Sequence, residues 1–546
     1  MHIKHLRLYN FKRFCGWYDL PLNESINILV GANEIGKSTI IEAINLALSG
    51  FYQGKYIRND INQYLFNRDA VEEYIASVQS GTPIAPPEII IELYFDSCPE
   101  MNGNHNSSRA TADGLYYKIC FNDEYIAEYQ RLVESKEIYS LPIEYYKVVW
   151  RSFHRTDITS RSIPYKASLI DSSAQYRTAT DMYVSHIIKN HLEEKDKVTI
   201  ASAYRKAQQS FIQNPAIEDI NGKLSAISAL EGQILSLSVD MSSRRSWEEE
   251  LTAYIDKVPF QFMGKGTQAI VKTKLSIAKH PSDKSGVLLI EEPENHLTYS
   301  KLNQLIHSIR TENAGHQIIV VTHSSFVLNK LGLSSLVLMS QVGECRLDGL
   351  STATQNYFQK LAGYDTLRLL LCRRAILVEG DSDELVVQRA YQDVHGCLPI
   401  EDGVDVICLR GLTFLRFLEI AKLLKLNVCV VTDNDGRPDK VREKYVDYID
   451  KEPNIKICFD ECVDTYQTLN CTSDCLADDF NFNTLEPKLL KENGLAVFQR
   501  IYGQKYDTID SMLRHLHANK NDVAFALFET GERIKFPEYI MKAVNE

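Results

Sequence analysis

No stretch of the sequence is apolar for the roughly 18 residues that a membrane-spanning helix needs, and no basic segment leading into a long apolar run stands at its start. These absences lead us to expect a soluble, cytoplasmic protein without a secretory leader. Internal repeats and low-complexity tracts are missing, which excludes solenoids and compositionally biased linkers. Heptads are not sustained, so a long coiled coil is not expected. Positive charge is in deficit: 60 Lys and Arg stand against 72 Asp and Glu, a net charge of −12. That argues against coating nucleic acid through bulk charge, while leaving room for a local basic groove.

What is present is a long globular chain. Its 546 residues, 44% apolar, exceed what one core holds, so two to four folded domains are expected. The 12 cysteines read as reduced thiols, mostly in the core. Cys458, Cys462, Cys471 and Cys475 form two CxxxC pairs, a spacing that departs from the tight zinc knuckle. Ordinary buried thiols are the expectation there, and a zinc site is left open.

The chain changes character along its length. Residues 1–155 mix strands and loops, among them "INILV" and "PPEIIIELYF". Residues 156–254 carry helical periodicity, for example in "MYVSHIIKNHLEEKDKVTIASAYRKAQQSFI", and read as a helical insertion serving dimerisation. Residues 255–350 return to α/β, with "GVLLIEE" and "IIVVTH" as continuous apolar strands suited to a covered parallel sheet. A linker is expected over about 350–365. A second α/β domain then fills 366–546, with "AILVEG", "VDVICLR" and "NVCVVTDNDG" as strands and a helical C-terminal part.

"GANEIGKST" satisfies GxxxxGK[ST] over Gly31–Ser38, between a strand and a helix. Backbone N–H groups of this loop, from Asn33 through Gly36, Lys37, Ser38 and Thr39, would wrap the phosphates of ATP. Lys37 would reach the outer phosphates and Ser38 would ligate Mg²⁺. Glu291 and Glu292 end the strand "VLLIEE"; in a P-loop enzyme the first orients magnesium and the second polarises water. His323 follows "IIVVT" and would sense the γ-phosphate.

At the other end, Glu379 leaves the strand "AILV", and Asp433 and Asp435 leave "VCVVT". Carboxylates aimed out of strand ends into one pocket offer hard oxygen ligands, which suit Mg²⁺ or Mn²⁺. Without a cation they would repel, and at least one would tend to hold a proton.

"GANEIGKST", "LLIEEPENHL" and "VVTHSS" resemble the ABC-type ATPase core shared by SMC, RecF and OLD (overcoming lysogenization defect) proteins. "ILVEG" with "TDNDG" resembles a Toprim domain. Together they resemble the OLD family of nucleases: an ABC-type P-loop ATPase with a helical insertion, followed by a Rossmann-like Toprim domain. "GKGTQAI" resembles a reduced form of the ATPase signature segment, which implies that Gly264, Gly266 and Thr267 cover ATP from a second subunit; the full LSGG form is absent. Glu379, Asp433 and Asp435 match the Toprim acids. The likeness adds Glu384, with Asp383 adjacent, then Glu486 in "NTLEPKLL" and Lys520 in "HANKNDVAFALFE", and it fits Gly411 to a turn between Toprim strands. It implies two metal ions about 3.5–4 Å apart across a scissile phosphate. Glu379, Asp433 and Asp435 would hold one ion, Glu384 and Glu486 would help hold the other, and Lys520 would neutralise charge. The products would carry 5′-phosphate and 3′-hydroxyl ends. The implied function is a DNA endonuclease acting as a dimer or larger homo-oligomer in phage defence. Its implied regulator is a partner protein, or a reverse transcriptase with non-coding RNA as in a retron. The alternatives are an SMC/RecF-like DNA repair or structural protein with a non-cleaving Toprim domain, and an RNA-cleaving effector.

Overall fold

The computed structural model describes residues 1–546 except 54, 137, 172–193, 228–236, 239–253, 278–285, 312–314, 341–342, 348, 361–365, 410–413, 472–479, 504–505 and 546. Gly411, Cys475 and much of the periodic sequence between 172 and 253 therefore lie outside the described residues. The chain divides into two compact units: Met1–Asn27 with Gly36–Thr322, and Ile28–Ile35 with His323–Glu546. Among the described residues no helix is long and apolar enough to cross a membrane.

The first unit opens on β1 (Ile3–Tyr9) and β2 (Trp17–Pro21). Strand β3 (Ile26–Gly31) runs across the division, and helix α1 (Lys37–Ser49) follows. An antiparallel sheet joins β2 to β1, β1 to β4 (Ile89–Phe95), β4 to β5 (Ala112–Phe121) and β5 to β6 (Tyr146–Ser152). Its strands alternate: in β5, Leu115, Tyr117 and Ile119 are buried while residues between them are less so. That is the period-two pattern of a sheet with one covered face. A parallel set follows, with β7 (Lys166–Asp171), β8 (Gly286–Glu291) and β9 (Gln317–Val321) in the order β7-β8-β9. Here Val287–Ile290 and Ile318–Val321 are buried without alternation, as both-face burial requires. Helices α2 (Glu194–Ile212), α3 (Pro215–Ile227) and α4 (Lys265–Ile277) also belong to this unit.

In the second unit, β3 pairs in parallel with β10 (Leu336–Ser340), which pairs antiparallel with β11 (Gly343–Arg346). Helix α5 (Ser325–Leu331) precedes them, and its N-cap Ser324 accepts a hydrogen bond from the Val327 N–H. Residues 352–360, expected as linker, form helix α6 (Thr352–Lys360), and α7 (Thr366–Leu371) follows. A four-stranded, all-parallel sheet comes next: β12 (Arg374–Val378), β13 (Val404–Cys408), β14 (Val428–Val431) and β15 (Ile455–Cys458), in the order β13-β12-β14-β15. Ala375–Val378 are fully buried. Burial contributes about 1.5–3 kcal/mol for each large apolar side chain. Helix α8 (Asp381–His395) crosses from β12 to β13, and α9 (Phe414–Leu424) from β13 to β14. The C-terminal part is helical: α10 (Leu485–Tyr502), α11 (Ile509–Ala518), α12 (Lys520–Glu529) and α13 (Glu538–Asn545). Their apolar faces, with Leu489, Met512, Val523 and Ile540, share one core with Ile376 and Val387. The α/β class and the doubled arrangement expected from the sequence are what the molecule shows.

Candidate functional site

Because the four strands are parallel, their C-terminal ends open on one edge, where ligands of such sheets bind. Glu379 follows β12 directly, and Thr432, just past β14, donates its hydroxyl to Glu379 Oε1. That bond ties the tips of neighbouring strands. The charges of Asp383, Glu379, Glu486 and Asp435 all act on Asp433, which follows Thr432. Burial, and then these carboxylates, raise the Asp433 carboxyl well above its ordinary value. Asp383 behaves likewise: burial and Glu379 push it up to about 7, opposed by a hydrogen bond from the Gly380 N–H, at 2.9 Å, and by Lys520. Such displacement is what a knot of buried carboxylates produces when cationic charge is short.

The loop after β14 is shaped to present these acids. Asp435 and Gly436 both adopt left-handed backbone, with φ of 47° and 71°, a conformation that Asp and Gly tolerate better than most residues. Between the two aspartates, Asn434 is buried. Its amide donates to the Asp460 and Cys462 carbonyls at 2.6 and 2.9 Å and accepts from Gly436 N at 2.9 Å. Asn481 donates to Asp435 Oδ1 at 2.6 Å.

Two late helices complete the edge. Glu486, in the first turn of α10, is 4% exposed and accepts from the Thr484 hydroxyl at 3.3 Å. Lys520 Nζ, at the start of α12, lies 3.3 Å from Glu486 Oε2. Glu379, Asp383, Asp433, Asp435, Glu486 and Lys520 thus lie close enough to act on one another's charge, although they come from segments between positions 379 and 520. Glu384, next after Asp383 in α8, brings a ligand atom within 4.8 Å of Asp381 and Cys408, and the Cys408 thiol in turn lies 3.7 Å from the Glu379 carbonyl oxygen. Asn434, Thr432 and Asn481 were not singled out by the sequence reading. Of the cysteine cluster, the Cys458 sulfur lies 3.4 Å from that of Cys429 instead, while Cys462 is exposed.

In the first unit Gly36 caps α1 with φ 104°, and a Cβ there would come within 2.7 Å of the Phe14 ring. Lys37 is 5% exposed, and Ser38 and Thr39 continue the first turn of the helix. Burial lowers the Lys37 pKa, while Glu292 and Glu291, at the end of β8, act to raise it. Glu292 has φ 47° and accepts from the Asn295 amide at 2.5 Å. Gly264 precedes α4, and Gly266 packs so closely that a Cβ would come within 2.3 Å of the His296 carbonyl oxygen; Thr267 follows it. In the second unit Asn33 lies in the loop after β3, and His323 stands just before α5.

Two family models match. The RecF/RecN/SMC N terminal domain matches residues 2–345. The TOPRIM domain of overcoming lysogenization defect protein-like sequences matches 370–435. The chain belongs to the RecF/RecN/SMC family. Within it, the SMC-type ATPase domain followed by an OLD-like Toprim domain is the OLD architecture. Solved structures similar to this RecF/RecN/SMC member include the SMC head domain from Thermotoga maritima, at 14% identity and a TM-score of 0.29, covering 64% of this chain and 99% of that one. Another is an Smc head with an extended coiled coil, bound to the C-terminal domain of ScpA, derived from Pyrococcus furiosus. It has 12% identity, a TM-score of 0.32, and coverage of 66% and 99%. The family assignment rests on the family models and not on these distant likenesses. No curated protein matches significantly.

Proposed function

We propose that this protein is an ATP-binding, Mg²⁺- or Mn²⁺-dependent endonuclease that hydrolyses DNA phosphodiester bonds, working as a homo-oligomeric phage-defence effector under a partner's control. The observation that carries the reading is the convergence of five carboxylates and Lys520 on one edge of the parallel sheet. The donors are carboxylate oxygens, rich in negative charge, which is the ligand chemistry of a hard divalent cation. Among the described residues the trio whose ligand atoms lie within 4.8 Å of one another is Asp381 and Glu384, at the start of α8, with Cys408, at the end of β13. Glu379, Asp383, Glu384, Asp433, Asp435 and Glu486 are the residues that would hold metal here. Divalent metal supplies activation of water and neutralisation of the phosphate.

The chain's own residues do the rest. Asn434 and Thr432 fix the strand tips, so the acids need little reorganisation. Lys520 acts as a charge at the phosphate; a free lysine is protonated near neutral pH and is a poor base. The loop at Lys37 binds the triphosphate, and Glu291 and Glu292 serve magnesium and water.

A second reading, an SMC/RecF-like DNA repair or structural ATPase with a non-cleaving Toprim domain, is favoured by a specific observation. The longer family match, over 2–345, is to that class. Purified protein with plasmid, linear duplex, single-stranded DNA or RNA, with Mg²⁺ or Mn²⁺ and with or without ATP, separates these readings. Metal-dependent strand loss that disappears in Asp435→Ala supports the nuclease. Equal strand loss by the variant, or none by the wild type alongside normal ATP binding, favours the second reading. Cleavage confined to RNA reassigns the substrate.

A further inference from the structure

Arg368 belongs to none of the motifs read from the sequence, yet three groups converge on its guanidinium. Nε donates to Asp405 Oδ2 at 2.8 Å, and Nη2 to Asp405 Oδ1 at 2.5 Å and to the Val406 carbonyl at 2.8 Å. Nη2 also lies 4.0 Å from Glu384 Oε1. Asp405 interrupts the buried strand β13 and is only 8% exposed. A carboxylate there is costly without a partner, and an apolar residue would fill the position more cheaply. The pair therefore calls for a role besides stability.

Its placement supplies one. Glu384 adjoins Asp383 in the first turn of α8, so Arg368 braces that turn against β13. Leu367, the neighbouring residue, donates its N–H to the Ser325 hydroxyl at 3.2 Å. Ser325 begins α5, two residues after His323. Within the second unit a short path thus runs from the segment after His323, through Leu367 and the Arg368 fork, to the turn that carries Asp383. We propose, resting on the metal-site reading of the acidic edge, that Arg368 is the positioning residue through which the segment after His323 sets the cation affinity of that edge. A displacement of Ser325 is passed to Leu367, and the planar guanidinium carries it to Glu384 and so to Asp383. A lysine keeps the charge but cannot reproduce the two-pronged grip on Asp405.

The test is Mn²⁺ binding to the full chain, followed by electron paramagnetic resonance of free Mn²⁺, with and without a non-hydrolysable ATP analogue. The contribution of the acidic edge is the part lost in Asp433→Asn, which also cancels chelation by the nucleotide. In the wild type the analogue is expected to change the affinity of the edge by about fivefold or more. Arg368→Lys is expected to bind Mn²⁺ more weakly and to lose the response to nucleotide. Ser325→Ala is expected to keep the nucleotide-free affinity and lose the response. A wild-type affinity indifferent to the analogue overturns the inference, as does a full response in either variant. If Arg368→Lys fails to fold by circular dichroism, Ser325→Ala decides alone. If Asp433→Asn loses no Mn²⁺ binding at all, the metal reading of the edge falls first, and that outcome is distinct from the others.

Discussion

Lys520 sits where helix electrostatics disfavour it. It opens α12, at the positive end of the helix dipole, where a cation costs about 0.3–1 kcal/mol. Its compensation is Glu486, and its proposed purpose is the substrate phosphate. Lys520→Met should slow cleavage about 10²–10³-fold while ATP binding, read by filter retention, stays unchanged. Lys488 makes the opposite case. It is 3% exposed and lies 2.6 Å from Asp460 and 2.7 Å from Asp464. Lys488→Met should cost about 3–5 kcal/mol in urea unfolding, because it strands buried charge. Burial works against the Asp464 carboxylate, but Lys488 and Lys491 outweigh it and hold its pKa below the ordinary value. A depressed folded-state pKa stabilises above the unfolded value and is lost as pH falls through the folded one. The urea midpoint should therefore drop as pH falls below about 4, and more shallowly in Lys488→Met. Glu379, Asp433 and Asp435 were legible in the sequence because each leaves a buried apolar run. Arg368 and Lys488 gave no signal, since their partners are distant in sequence.

At the scale of elements, parallel strands announced themselves and short helices did not. "AILV" and "VCVV" are continuous apolar runs, and both fold as covered strands. Helix α6 was hidden: "TATQNYFQK" is mostly polar and resembles a connector. Its order comes from tertiary contacts. Phe358 is fully buried with its ring 5.2 Å from that of Phe417 in α9, and the Thr354 hydroxyl donates to Glu419 at 2.5 Å. Arg416 donates to the same Thr354 oxygen at 2.8 Å. Local propensity carries none of this, so a nine-residue helix reads as loop until its neighbours are known. Phe358→Ala should destabilise the protein by about 3–5 kcal/mol, measured by chemical denaturation. A flexible connector would tolerate the change with almost no effect.

For the whole molecule, the order of chemistry along the chain was plain: a phosphate loop near the start, and a metal-type acid set far downstream. Lys37→Ala should abolish nucleotide retention and leave Mn²⁺ binding at the acidic edge intact, checked by the same resonance measurement. With a net charge of −12, any hold on DNA must come from local cations. Its affinity should fall linearly in log–log salt plots, with a slope that counts phosphate contacts at about 0.9 each.

The acidic edge draws on residues inside a recognisable segment and on others beyond its end. Residues 370–435 include Glu379, Asp383, Asp433 and Asp435, while Glu486 and Lys520 lie beyond them. A frameshift between 436 and 485 would therefore leave a gene that still matches the Toprim family model while lacking the glutamate and lysine proposed for the site. On the proposed function, genome surveys that count that segment alone overcount working copies, and a check for the downstream glutamate and lysine corrects the tally.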